Sequence, residues 1–157
     1  EIAYLYIHQL NEPEIKMDYN FNDGGKKAEG LGTARSADCC IRSIAIATGD
    51  SYKGTKNAMN RLLSEMTGGL EKSCNNGTPT PVYHKYLTDL GFKLTLTKGS
   101  YLSDFDFTGR TVIVDLPRHN VCVVDNVLND TWDSRKSRRT KNGSPKVNGY
   151  YEKEARA

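Results

Sequence analysis

The sequence lacks several features that would indicate a particular class of protein. It has no apolar run near the roughly 20 residues of a membrane-spanning helix and opens with no charged and then apolar leader, so we expect no membrane partner. No C-x-x-C pair occurs, and the adjacent Cys39 and Cys40 are poorly placed for a structural bridge. The three histidines do not follow the spacing of a zinc site. These absences predict no disulfide framework, no metal and no other cofactor, and they favour a reducing, cytoplasmic setting.

Size and composition favour one folded domain over residues 1–157. A chain of 157 residues can bury a core without cross-links, and its formal net charge of +3 is mild. Within this domain we expect an N-terminal arm at 1–30 and a basic loop at 134–146.

Hydrophobic periodicity changes from helical to alternating along the chain. Helices are predicted from the N-cap Asp38 to the stop at Gly49, over Thr55 to Met66, and over about Pro81 to Leu90. Strands are predicted from Phe92 onward, over Thr111 to Leu116, His119 to Val124, Val127 to Asp130 and about Val147 to Tyr151. Ahead of these, Ala3 to Leu10 reads as a strand that a loop follows. The expected fold class is α+β, with N-terminal helices packed on a C-terminal antiparallel sheet.

Cys39 is the strongest candidate for chemistry. It follows Asp38 at the predicted first turn of an apolar helix, where unpaired N–H groups and the helix dipole favour the thiolate. A cysteine in such a sequence can also be a small buried hydrophobic residue. A histidine and an acid farther along the chain favour the reactive interpretation.

The predicted hairpin selects the acid that belongs with His119. A two-residue turn at Asp125 and Asn126 pairs Val124 with Val127 and makes Asp130 a diagonal neighbour of His119, about 7 to 8 Å away between backbones. A carboxylate beside an imidazole fixes its tautomer, and the other ring nitrogen can then deprotonate a thiol. The sequence therefore predicts a Cys39, His119 and Asp130 triad.

Short motifs, in a common order from about residue 20 to 151, carry a resemblance to a known family. The chain resembles the papain-like cysteine peptidase superfamily, in the group that includes bacteriocin-processing and NlpC-like peptidases, and it is similar to small uncharacterised cysteine-peptidase-like proteins of phages and bacteria. The motifs are Asp23-Gly24-Gly25-Lys26, Asp38-Cys39-x-x-Arg42, Ala45-Ile46-Ala47-Thr48-Gly49, Asn76-Gly77, Arg118-His119, Asn129-Asp130-Thr131-Trp132-Asp133 and Val147-Asn148-Gly149-Tyr150-Tyr151.

The resemblance implies a papain-like fold and a thiol hydrolase. Cys39 is then the nucleophile, His119 the base and later the acid, and Asp130 the residue that orients His119. The substrate would be a protein or peptide, cleaved at an amide or isopeptide bond through an acyl-enzyme. A phage-encoded chain of this kind would act in the host cytoplasm or within the virion.

Two positions depart from the usual pattern of that family. Related enzymes place Gln or Asn a few residues before the nucleophile to hold the oxyanion, whereas residues 33–38 contain neither. The oxyanion would then depend on the backbone N–H of Cys39 or Cys40 with a donor such as Ser36 or Asn22, and one such donor contributes about 3 kcal/mol. Cys40 is the second departure, and since adjacent helical residues differ by about 100° in direction, only one of the two cysteines should face His119.

The basic loop supports an alternative function. Four of its cations are candidates for binding phosphates, although a solvated hairpin tip has the same composition. In the alternative, a catalytically retired papain-like fold binds nucleic acid or an acidic host protein. The candidates for that surface are Arg135, Lys136, Arg138 and Arg139.

Overall fold

The computed structural model describes residues 16–32 and 37–154, and the strand predicted at Ala3 to Leu10 lies outside this part of the chain. The described residues form an α+β fold with three α-helices and a six-stranded mixed sheet. The helices are α1 (Cys39–Thr48), α2 (Tyr52–Met66) and α3 (Thr80–Asp89), and a short 3-10 helix spans Leu102–Asp104. The strands are β1 (Asp18–Phe21), β2 (Phe92–Tyr101), β3 (Thr111–Leu116), β4 (His119–Val124), β5 (Val127–Asp130) and β6 (Lys146–Lys153).

The sheet has the order β1-β5-β4-β3-β6-β2, and the expectation of a purely antiparallel sheet is wrong at one edge. There β1 pairs in parallel with β5, in a segment that the sequence suggested was a loop. Strand β1 has only four residues, which are mostly exposed, and the polar run that begins at Asn20 favoured a loop. Strand β1 is held by its pairing with β5 and by the Asn20 amide, which donates to the Asn129 side chain at 2.9 Å.

Local signals explain the helix boundaries. Gly49 ends α1 with a φ of 77°, as predicted for a left-handed C-cap. Helix α2 begins three residues before the predicted Thr55 because the Ser51 side chain accepts a hydrogen bond from the Gly54 N–H at 3.0 Å. Asp38 precedes α1 as predicted, but its carboxylate does not cap the helix.

The predicted β4–β5 hairpin is confirmed. Asp125 and Asn126 both have positive φ, and Val124 pairs with Val127 in the expected register. This register carries Asp130 toward the strand end that His119 opens.

Two apolar clusters occupy the two faces of the sheet. One contains residues of all three helices together with Ile113 and Tyr151 of the sheet, and the other packs Phe107 and Leu102 against Val114, Val121 and Leu128. Helix α1 lies against β4, which brings its first turn to the start of that strand. Within residues 16–32 and 37–154, no helix has both the length and the apolar character needed to cross a membrane.

Candidate active site

The two adjacent cysteines have different surroundings. Cys39 opens α1 and lines a cleft of about 730 Å³, whereas Cys40 is 5% exposed and its thiol donates to Asn120 Oδ1 at 3.0 Å. Contact with Cys39 and burial raise the pKa of the Cys40 thiol far above its ordinary value. Cys40 therefore stays protonated, and only Cys39 presents sulfur to the cleft.

His119 and Asp130 meet as the hairpin register predicted. His119 Nε2 lies 2.5 Å from Asp130 Oδ2, and Asp130 is 3% exposed. Because Asp130 occupies Nε2, the nitrogen left for Cys39 is Nδ1. A carboxylate on one side of an imidazole and a thiol on the other is the arrangement that activates a sulfur nucleophile.

The charges of Cys39 and His119 stabilise each other. The Cys40 thiol is the largest cause that lowers the pKa of Cys39, and His119 lowers it further by hydrogen bonding and charge, against burial. The Cys40 thiol also donates to Asn120, and His119 is the partner of Cys39 that can carry a positive charge. Burial acts to lower the pKa of His119, but hydrogen bonds with Asp130 and Cys39 outweigh burial and raise it to about 9. These shifts favour a thiolate and an imidazolium at neutral pH.

Asp130 receives several donors that sequence reasoning missed. The Ser134 hydroxyl donates to Oδ2 at 2.7 Å, and the Thr131 N–H donates to Oδ1 at 2.8 Å. Burial acts to raise the pKa of Asp130, but the hydrogen bonds from His119, Ser134 and Thr131 hold it below its usual value. Ser134 follows Asp130 by four residues, and its place in a turn after a strand carried no signal of this contact.

Arg42 connects the triad to the residue before the nucleophile. Its guanidinium bonds Asp38 and also reaches Asp130 Oδ1 at 3.4 Å. Asp38 is 4% exposed and further accepts from Lys26 at 3.0 Å and from the Tyr52 hydroxyl at 2.7 Å. Burial acts to raise the pKa of Asp38, but its hydrogen bonds with Tyr52 and Lys26 and the charge of Arg42 keep it lowered.

The result is a chain of alternating charge that ends at the nucleophile. It runs from Lys26 through Asp38, Arg42, Asp130 and His119 to Cys39. The spacing of Asp38 and Arg42, four apart at the start of a helix, was the available sequence signal for this connection.

Aromatic side chains border the cleft. The ring of Trp132 lies 5.1 Å from the ring of His119 between centroids, at 37°, and Trp132 is 51% exposed. Phe21, 65% exposed, also lines the cleft.

Gly24, with a φ of 71°, lies so close to α1 that an added Cβ would sit 3.2 Å from the Arg42 backbone. A glycine therefore lets the 23–27 turn border the site.

The sequence suggested the side chains of Ser36 and Asn22 as donors to an oxyanion. Ser36 lies outside the described residues. Asn22 is not brought to Cys39, because its amide donates to Asn129 at 3.3 Å and its carbonyl oxygen accepts from the Gly24 N–H at 2.9 Å. The Asp38 carboxylate does not cap α1, which leaves the Cys39 backbone N–H as the best donor to an oxyanion.

The cations of the basic loop have two kinds of surroundings. Arg135 bonds Asp133 at 2.9 Å and the Met17 carbonyl oxygen at 2.7 Å, so it attaches the loop to the start of β1. Lys136, Arg138 and Arg139 line a second cleft of about 870 Å³.

Comparisons with known proteins returned no relatives. No family profile, no curated protein and no solved structure matches this chain. In the part of the chain that the structure covers, no group of three or more His, Cys, Asp or Glu side chains could hold a metal ion.

Proposed function

We propose that this chain is a thiol hydrolase of papain-like architecture that cleaves an amide or isopeptide bond with Cys39, His119 and Asp130. The observation that carries the proposal is the 2.5 Å contact between His119 Nε2 and Asp130, which leaves Nδ1 for the cysteine that opens α1. The order of the three residues along the chain and the tryptophan beside the histidine support the same interpretation.

The reaction begins with the thiolate already formed. Cys39 sulfur attacks the carbonyl carbon, a C–S bond forms, and the oxyanion accepts a hydrogen bond from the Cys39 N–H at the start of α1. The C–N bond then breaks as His119 Nδ1 gives its proton to the leaving amine. Water attacks the thioester carbon as His119 takes a proton from it, a C–O bond forms, and the C–S bond breaks. The acid product departs, and Cys39 and His119 return to the thiolate and the imidazolium.

Asp130 acts by holding His119 through this cycle. Its carboxylate stays ionised because Arg42, Ser134 and the Thr131 N–H also bind it. Trp132 packs beside the ring of His119 and covers part of it.

Acylation with an activated ester tests the proposal. Treatment with p-nitrophenyl acetate should release nitrophenol in a burst and leave one acetyl group, which peptide mass spectrometry places on Cys39. Cys40→Ser is the matched control and should keep the burst, because Cys40 faces Asn120 rather than the cleft. A burst that survives Cys39→Ala, or an equal rate in His119→Ala, would overturn the proposal.

A binding role for the basic loop has less support. Arg135, one of the four cations proposed to contact phosphates, is already bound to Asp133 and Met17. The remaining cations lie beside His119, which relates them to the thiol site.

A further inference from the structure

A second cleft adjoins the triad and has a strongly basic lining. Its volume is about 870 Å³, and it shares Arg118, His119 and Trp132 with the first cleft, whereas Cys39 lines the first cleft only. The two clefts therefore meet at His119. The cations of its wall are Arg118, Lys136, Arg138, Arg139 and Lys146.

The chemistry of the triad assigns a part of the substrate to each cleft. The acyl part becomes bonded to Cys39 and so occupies the first cleft. The leaving amine takes its proton from His119 Nδ1, so it lies on the His119 side of the Cys39 sulfur, and the second cleft begins at His119. We propose that the second cleft binds the leaving-group side of the substrate and selects acidic side chains there. This inference rests on the proposed thiol hydrolase function.

Lys136 approaches the Asp133 carboxylate at 3.8 Å, but the three arginines of the second cleft have charges available to a ligand. Asp133 is its one carboxylate among the described residues, and it already bonds Arg135 at 2.9 Å through both of its oxygens. Within residues 16–32 and 37–154, no carboxylate pairs with Arg118, Arg138 or Arg139. Guanidinium groups present donors that match a carboxylate in two-point geometry.

Arg118 marks the junction of the two clefts. It directly precedes His119 and has a φ of 57°, in the left-handed region that costs a non-glycine residue about 1 kcal/mol or more. Glycine would adopt this turn without that cost. Arg118 lines both clefts, so its long cationic side chain is placed, at a cost to stability, where a substrate would cross from one cleft to the other.

The composition of the cleft favours an acidic peptide over nucleic acid. Single-stranded nucleic acid is held by stacking of bases on exposed aromatic rings along a basic groove. Trp132 is the one aromatic residue that lines the second cleft in the described part of the chain, and its ring already packs on His119. The net charge of the whole chain is also only +3. A short acidic segment fits this lining better than a long polyanion.

Transfer of the acyl group to peptides tests the inference, because an acceptor amine enters where the leaving amine departs. Acetyl-Cys39 is formed with p-nitrophenyl acetate, and Gly-Glu-Glu amide, Gly-Gln-Gln amide or Gly-Lys-Lys amide is added. The peptide amine attacks the thioester, a C–N bond forms, the C–S bond breaks, and His119 takes the amine proton. The measured quantity is acetyl-peptide formed relative to acetate.

We expect Gly-Glu-Glu amide to be favoured about tenfold over Gly-Gln-Gln amide, and Gly-Lys-Lys amide to be the poorest acceptor, because two surface ion pairs together contribute about that factor. The double variant Arg138→Glu with Arg139→Glu should lose the preference. Lys141→Glu is the control, because it reverses one charge in the same loop but outside the cleft, and it should keep the preference.

Three outcomes would overturn the inference. Normal acetylation of Cys39 with equal use of all three peptides contradicts acidic selection and leaves the thiol hydrolase intact. Failure of any acetylation removes the proposed function and this inference with it. Equal use of the peptides, together with salt-sensitive binding of a single-stranded oligonucleotide that Arg138→Glu with Arg139→Glu abolishes, would assign the cleft to nucleic acid instead.

Discussion

The two nitrogens of His119 have separate partners, and this division determines what each neighbouring residue can do. Nε2 lies against Asp130, and Nδ1 remains for Cys39. Prediction of the pair from sequence succeeded because a two-residue turn fixes the register of every side chain in a hairpin. Ser134 could not be predicted in this way, because its hydroxyl reaches Asp130 through an irregular turn with no periodic pattern.

The raised pKa of His119 predicts an unusual titration. Nuclear magnetic resonance of the ring should show imidazolium persisting until the pH approaches about 9. In Cys39→Ala the thiolate is gone, so this pKa should fall toward its ordinary value. The ion pairs of His119 should stabilise the fold fully below about pH 6.5 and lose that effect as the pH rises through about 9. An unchanged His119 titration in Cys39→Ala would contradict the coupling of the two residues.

Removal of the Ser134 hydroxyl tests the support of Asp130. Ser134→Ala deletes a buried donor at 2.7 Å and should lower the free energy of unfolding by about 1 to 2 kcal/mol. The pKa of Asp130 should rise, and acetylation of Cys39 should slow several-fold. Urea unfolding and the nitrophenol burst measure the two effects. Ser137→Ala, in the same loop but without a contact to Asp130, is the control, and an equal loss in both variants would contradict the assigned role.

At the scale of helices and strands, the segments with a clear apolar or alternating pattern were predicted correctly from the sequence, whereas the short edge strand β1 was not. Helix α1 ends at Gly49 and the β4–β5 hairpin turns at Asp125 and Asn126, as local rules require. Strand β1 was missed because its stability comes from pairing with β5 and from the Asn20 contact, both of which involve residues more than 100 positions away. The relation of α1 to β5 also depends on a long-range contact, because Arg42 of α1 bonds both Asp38 and Asp130.

Arg42 is predicted to position α1 against β5. Arg42→Met leaves two nearly buried carboxylates short of a cation, so it should lower the free energy of unfolding by about 3 kcal/mol. Asp38 keeps Lys26 and Tyr52, so the protein should still fold. The second readout is the pKa of His119, which should change because the charge on Asp130 is no longer balanced. Arg42→Lys should restore part of the stability. If the pKa of His119 in Arg42→Met equals the value in the unaltered protein, that result would contradict a positioning role.

Across the whole molecule, a mild net charge conceals a strong local asymmetry. The second cleft gathers cations in a wall that His119 also lines, while Asp38 and Asp130 are buried in ion pairs. Sequence composition revealed the basic loop but not its relation to His119, because the loop reaches the site only when Arg135 attaches it beside β1.

Ionic strength should separate the two clefts. Salt shortens the screening length from about 8 Å at physiological strength to about 3 Å at 1 M, so exposed charge pairs weaken. The preference for Gly-Glu-Glu amide should therefore disappear at high salt, whereas acetylation of Cys39, which depends on partly buried charges, should change little. Equal salt sensitivity of both steps would contradict the division between the clefts.

The most direct test of the central claim is the rate at which iodoacetamide alkylates Cys39 as a function of pH. The account predicts rapid alkylation well below the ordinary thiol pKa of about 8.5, and a shift of the rate profile to higher pH in His119→Ala. A profile centred at the ordinary thiol value, and identical in His119→Ala, would contradict the claim that Cys39 is a thiolate nucleophile paired with His119.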